Sequence, residues 1–224
     1  MENRDKLRVL LGPGYIRGVY VIDELLSGPS SEISSVVAAL PDNRNRNGKF
    51  RFWQYLTEDE KVVAENMVLA PLERAGVPVC NALSKTDITH NFVAEHKADI
   101  GILANFGDIV PENIIEQFPL GIYNTHASDL PKYAGGTPYA DAIDAGETHF
   151  WISLHEVDKG VDTGHVMMKI GPFPIYPGAK PMDLYPIGVW PTMFLIRSFL
   201  QEVYKSPDTF RDVNKRRSFQ KIIN

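Results

Sequence analysis

The chain holds a single cysteine, Cys80, which excludes an intrachain disulfide. With no second cysteine or paired histidine beside it, Cys80 makes no zinc motif and is expected to pack in the core. Long hydrophobic runs are also missing. No apolar stretch reaches the ~18 residues of a membrane span, and the opening MENRDKLRVLLGPGYIRG lacks the unbroken apolar segment of a signal peptide. A cytoplasmic protein with no membrane partner is therefore expected. Nor is there an excess of basic charge: 23 Lys and Arg stand against 28 Asp and Glu, a formal net charge of -5. That balance supplies no global basic field for a nucleic acid, leaving short runs such as Lys215 to Arg217 as local contacts only. Repeats and low-complexity tracts are absent too. What is present is ordinary for a globular chain: 224 residues, 44% hydrophobic and 23% charged, enough to bury a core in one domain with a small appendage.

Short apolar, β-rich runs alternate with longer helical patterns, the signature of a βαβ chain with a mostly parallel sheet. LRVLLG (7–12), ISSVVAAL (33–40), VPVC (77–80), DIGILAN (99–105) and GIYNTH (121–126) read as strands. VYVIDELLS (19–27), EDEKVVAENMVLAPLERAG (58–76), ITHNFVAEHK (88–97) and PENIIEQF (111–118) read as helices, the second stopping at Gly76. FWISLHEV and HVMMKIGPFPI, joined through DKGVDTG, add two strands, and PTMFLIRSFLQEVY (191–204) a last amphipathic helix. The expected class is α/β: a Rossmann-like, doubly wound, mostly parallel sheet over residues 1–180, with a short C-terminal helical extension over 181–224. Apolar side chains in LYPIGVWPTMFLIRSFLQEVY cover either the protein's own core or a partner in a homodimer.

Two loops invite ligand readings. PDNRNRNGKFRFWQY (41–55) is a polar, Asn- and Arg-rich segment after a strand, either a solvated connector or a place for ligand contacts. GPGYIRG (12–18) matches neither the P-loop nor the dinucleotide fingerprint. It reads equally as a strand-to-helix turn or as a backbone cradle for an anion at the carboxyl end of the sheet, where α/β ligands bind.

The sharpest feature is YNTHASDLPKYAGG (123–136). Asn124 and His126, two apart on a short buried strand, project on the same side at its carboxyl end. Pro131 and the Gly135–Gly136 pair enforce a loop, and TPYADAIDAGE (137–147) reads as a helix with Thr137 as N-cap and Pro138 at its first position. Asp162, in the turn DKGVDTG, is the natural third member. A carboxylate there would orient the His126 ring and favour its imidazolium form, while Asn124 supplies an uncharged N–H donor. Together they suit an oxyanion developing on a carbonyl under attack. Each motif also has a bland reading, a turn-stabilising Asn beside a satisfied histidine and an Asx-turn, and neither is specific alone.

In combination they resemble a known family. The stretch ADIGILANFGDIVPENIIEQFPLGIYNTHASDLPKYAGGTPYADAIDAGETHFWISLHEVDKGVDTGHVM, about 70 residues, resembles the catalytic core of the folate-dependent formyltransferases. Its pattern is Asn-x-His, a Leu-Pro-x-Tyr-x-Gly loop, a helix ending in Gly-Glu and a later Asp-x-Gly, and the separation of His126 from Asp162 fits it. The resemblance carries the family's catalytic Asn, His and Asp onto Asn124, His126 and Asp162. It implies an enzyme that transfers the formyl group of 10-formyltetrahydrofolate, a co-substrate, to an amine without a metal. It also implies that the pterin lies against Leu103, Asn105, Phe106, Gly107, Asp108, Ile109 and Val110 and against Val157, Asp158 and Gly160.

Departures from the family bear on the acceptor. Ala134 stands where an arginine is common, and Asp129 where a leucine is usual. The glycine-rich loop of the glycinamide ribonucleotide branch is replaced by GPGYIRG, and the residues after 180 are too few for the C-terminal domain of the methionyl-tRNA branch. A small acceptor is expected, a nucleotide-linked amino sugar, contacted by Gly12, Tyr15, Arg17, Arg46, Tyr133, Gly135 and Thr137. The alternatives are a methionyl-tRNA-like or carrier-bound amine, or a folate-binding module without turnover.

Overall fold

The computed structural model describes residues 6–14, 18–27, 32–40, 57–81, 86–106 and 108–223. In chain order the elements are β1 (Leu7–Pro13), α1 (Gly18–Ser27), β2 (Ile33–Leu40), α2 (Glu58–Arg74), β3 (Val79–Asn81), α3 (Thr86–His96), β4 (Ile100–Ala104), α4 (Glu112–Ile115) and β5 (Ile122–His126). They continue as α5 (Pro138–Asp144), β6 (His149–Glu156), β7 (Val166–Pro174), α6 (Pro181–Ile187), α7 (Val189–Lys205), α8 (Pro207–Arg211), α9 (Val213–Ser218) and β8 (Lys221–Ile223). The strands form one sheet in the order β3-β2-β1-β4-β5-β6-β7-β8. Pairing is parallel from β3 through β5, antiparallel from β5 to β6 and β6 to β7, and parallel again from β7 to β8. This is the expected doubly wound α/β class.

Strand alternation sorts the apolar residues onto two faces. Val9 and Leu11 of β1, Ile100 and Ile102 of β4, Tyr123 of β5, and Ile152 and Leu154 of β6 share one core with Val21 and Ile22 of α1, Val68 and Leu72 of α2, and Leu195 and Phe199 of α7. Leu10, Leu103 and Ile122 belong to the other core, with Val93 of α3, Ile114 of α4 and Cys80, which packs there as expected. α7 thus turns its apolar stripe into the protein's own core, while Trp190 and Phe194 stack on each other with ring centroids 5.4 Å apart and stay exposed.

Local chemistry departs from the sequence reading in three places. The start of α2 is set by a capping box that the sequence reading did not use: Thr57 Oγ1 accepts from the Glu60 N–H while Glu60 accepts from the Thr57 N–H. Thr137 precedes α5 but does not cap it; its hydroxyl bonds the Asp141 carboxylate at 3.1 Å, so Pro138 alone shapes that start. β8 was not anticipated, because three residues of KII carry too little pattern to separate from a helix tail.

One buried ion pair joins the C-terminal helices to the sheet beside the strand ends. Arg216 of α9 holds Glu156, the last residue of β6, at 2.7 Å with both side chains 9% exposed, and also donates to the Phe210 carbonyl at 3.1 Å. Removing Arg216 leaves the Glu156 carboxylate only the longer contact to the exposed Arg217 at 3.5 Å, and breaking a buried pair typically costs about 3–5 kcal/mol. Arg216→Met is therefore expected to lower unfolding stability by about 3 kcal/mol in urea titrations, far more than Arg211→Met, whose Asp208 partner is exposed.

Candidate active site

The antiparallel switch between β5 and β6 builds the site. Asn124 pairs with His155 and His126 with Ser153, so all four side chains lie on the face opposite Tyr123, Ile152 and Leu154. Asn124, His126 and His155 are buried. The turn from β6 to β7 then returns Asp162 to the same place in the left-handed backbone region, φ 52, which Asp tolerates better than most residues. The Asp162 carboxylate lies 3.4 Å from His126 Nδ1 through Oδ2 and 3.4 Å from His155 Nε2 through Oδ1, and accepts from the Gly135 N–H at 2.9 Å.

Hydrogen bonds assign the rings. His126 Nε2 faces the Tyr133 carbonyl at 2.8 Å, and a carbonyl only accepts, so Nε2 carries a proton. With Nδ1 against a carboxylate, a doubly protonated ring satisfies both neighbours. His155 Nδ1 likewise donates to the Glu156 carbonyl at 2.9 Å. Its Nε2 is buried and meets Asp162 without the alignment of a hydrogen bond. Burial pushes the Asp162 carboxyl up, but the His155 ring, the His126 ring and the Gly135 N–H together outweigh it and hold the group below its ordinary value. Asn124 Oδ1 accepts from the Phe106 N–H at 3.4 Å, which turns the amide NH2 away from that backbone.

The predicted residues divide plainly. Asn124, His126, Asp162, Tyr133 and Gly135 come together. In the 103–110 segment, Leu103, Phe106 and Val110 are buried, Asp108 is half-buried, Ile109 is exposed, and Asn105 takes φ 56 so that the chain turns beside Asn124. Val157 packs on the second core, and Asp158 ties its own turn by accepting from the Gly160 N–H at 2.9 Å and the Thr163 hydroxyl at 2.7 Å. Gly12 lies within β1, where a Cβ would meet Leu103 Cδ2 at 2.3 Å, so its missing side chain lets β4 pack close. Thr137 bonds Asp141 and none of the three catalytic candidates. Tyr15, Arg17, Arg46 and Gly107 lie outside the described residues, as does the 41–55 loop.

His155 is the residue the sequence reading passed over as a side chain. The signal was present: in FWISLHE the core residues Phe150, Ile152 and Leu154 alternate with Trp151, Ser153 and His155, which places a histidine at a strand end facing the same side as Asn124. Among the described residues, no group of three or more His, Cys, Asp or Glu side chains is arranged to hold a metal ion, and no helix is long and apolar enough to cross a membrane.

A family model described as formyl transferase matches residues 57–185, and the chain belongs to that family. A methionyl-tRNA formyltransferase of Desulfotalea psychrophila is 30% identical over 146 residues, 65% of this chain and 41% of that protein. The chain thus spans about two fifths of the length of that curated relative. Among solved structures, a glycinamide ribonucleotide transformylase of Symbiobacterium toebii superposes with a TM-score of 0.70 at 18% identity, covering 90% of this chain and 89% of that one. A sugar N-formyltransferase from a Shewanella species gives 0.61 at 14% identity, covering 93% and 71%. At these identities the structures show the shared fold.

Because the Asp162 carboxyl is held below its ordinary value, its charge stabilises the fold above the ordinary value of 3.8 and that stabilisation is lost as pH falls through the folded value. The stability difference between the wild type and Asp162→Asn, followed by urea unfolding across a pH series, is expected to shrink below pH 3.8. A difference that grew on acidification would contradict the arrangement.

Proposed function

We propose that the chain transfers the formyl group of 10-formyltetrahydrofolate to the amine of a small acceptor, a nucleotide-linked amino sugar. The observation that carries the chemistry is the Asp162 carboxylate between His126 and His155, with the Asn124 amide on the same face of the strand end. The unprotonated amine attacks the formyl carbon, the C–N bond forms, and the carbonyl pair moves onto oxygen. Asn124 donates its N–H to that oxyanion. His126, whose Nε2–H is engaged by Tyr133, offers the charge of its ring in a site with little water, where a fixed charge acts strongly. Asp162, through water, takes the proton from the attacking nitrogen and returns it to N10 of the folate as that C–N bond breaks. The pterin lies along 103–110 and the 155–162 turn, with backbone N–H and C=O groups of these segments as its hydrogen-bond partners. No step uses a metal.

The sugar acceptor is supported by the sugar N-formyltransferase among the fold neighbours and by the absence of the ribonucleotide branch's loop from GPGYIRG. The relatives named as methionyl-tRNA formyltransferases favour a second reading, an aminoacyl-tRNA amine. A panel of nucleotide amino sugars and charged initiator tRNA, each incubated with 10-formyltetrahydrofolate, separates them. A mass gain of one formyl group on a sugar supports the first reading, and formylation of the tRNA alone overturns it.

Asn124→Ala, His126→Ala and Asp162→Asn should each fold and lose about 10²- to 10³-fold in transfer rate, the typical cost of losing one oxyanion-stabilising group or one general acid–base group. Near-normal turnover in any folded variant removes that residue from the mechanism. Chelator treatment should leave the rate unchanged.

A further inference from the structure

The loop after His126 is fastened to one cross-strand row. His126 on β5, Ser153 on β6 and Lys169 on β7 are paired in register, so their side chains stand side by side on one face. Residues 127–136 fold back over that row, and each rung holds a different part of the loop. His126 Nε2 donates to the Tyr133 carbonyl at 2.8 Å. The Ser153 hydroxyl donates to the Ser128 carbonyl at 2.6 Å and accepts from the Leu130 N–H at 3.4 Å. Lys169 Nζ meets Asp129 at 2.5 Å.

The Lys169 side chain is only 18% exposed, and its Nζ lies 5.9 Å from the centroid of the Trp151 ring. An ammonium so covered is committed to its carboxylate and the aromatic face rather than to water. On the other flank the Tyr133 hydroxyl donates to Glu147 at 2.8 Å. At and just beyond the second anchor are the two loop groups that contact the site itself, the Tyr133 carbonyl on His126 and the Gly135 N–H on Asp162.

We propose that Asp129 and Lys169 form a positioning clasp, which holds the 127–136 loop at the height where Tyr133 and Gly135 fix the His126 ring and the Asp162 carboxylate. Neither member touches the reacting atoms. The clasp rests on the formyl-transfer reading for its effect on rate, while its effect on the His126 ring does not. It also gives a role to Asp129, the one acidic residue of the 127–136 segment.

The test uses the full chain with Asp129→Asn, Lys169→Met, and the exchange of Asp129→Lys with Lys169→Asp. Nitrogen-15 NMR of the His126 ring, assigned by its loss in His126→Ala, reads the loop without any substrate. Transfer of formyl from 10-formyltetrahydrofolate to the amine identified with the acceptor panel reads the rate. Each single variant should stay folded, move the His126 Nε2 signal toward that of a solvent-facing ring, and lower kcat about tenfold with KM for the folate within about twofold, as misplacement of a catalytic group does. The exchange should restore both the signal and kcat. Unchanged His126 signals in Asp129→Asn and Lys169→Met overturn the clasp, even if the unfolding midpoint falls. If the wild type transfers formyl to no amine of the panel, the transfer reading fails, while the ring signals still decide for or against the clasp.

Discussion

The Asp162 carboxylate occupies the space between two histidine rings, 3.4 Å from a nitrogen of each, and the surrounding structure serves to keep it there. The two rings and one backbone N–H together outweigh the cost of burying the charged carboxylate. His126 comes from β5, His155 from the antiparallel neighbour β6, and the Gly135 N–H from a loop that leaves β5 and folds back. Asp162 itself rides on the β6–β7 turn in a left-handed conformation. A parallel partner for β5 would send the chain away through a long crossover, whereas the antiparallel β6 brings its own end and the following turn to the same spot. The change of strand direction is therefore a requirement of the site.

That dependence runs outward through neighbouring contacts. The Glu156 carbonyl fixes the His155 ring, while the Glu156 carboxylate is held by Arg216, so the C-terminal helices bear on the orientation of a side chain in the site. On the other side of β5, Tyr123 is buried against Phe199 with centroids 4.5 Å apart and donates to the Leu120 carbonyl at 2.8 Å. Burial pushes the Tyr123 phenol well up, so it remains a neutral donor. The strand that carries Asn124 and His126 is thus locked from below by packing and from above by polar contacts.

Much of this was legible in the residues. The alternation of apolar runs with helical patterns sufficed for the doubly wound sheet, since each strand needs helices on both faces to bury it. The spacing of Asn124 and His126 placed both on one side of β5, and the residues around Asp162 marked a turn able to return to them. His155 is harder to find, because a histidine at a strand end is recognised as part of a site only once its cross-strand partner is known to be Asn124. Thr137 was misjudged for a related reason. A hydroxyl before a helix has a local use as a cap, but here the Thr137 hydroxyl donates to the Asp141 carboxylate one turn on and its oxygen accepts from no backbone N–H of the helix start. The role of Asp129 could not be read at all from sequence, since its partner Lys169 lies 40 positions away on β7.

The carboxylate between two rings has one purpose in this reading, to move a formyl group off the folate nitrogen and onto an amine. The most direct measurement supplies 10-formyltetrahydrofolate carrying carbon-13 in the formyl group, with stoichiometric protein and an amine acceptor, and follows the label by NMR. Formyl transfer predicts that the folate-bound signal decays as a new amide signal grows on the acceptor, its carbon coupled to the acceptor nitrogen when that nitrogen is also labelled. A label that stays on the folate at the rate of the protein-free control, with the amine saturating and the chain folded, would contradict it.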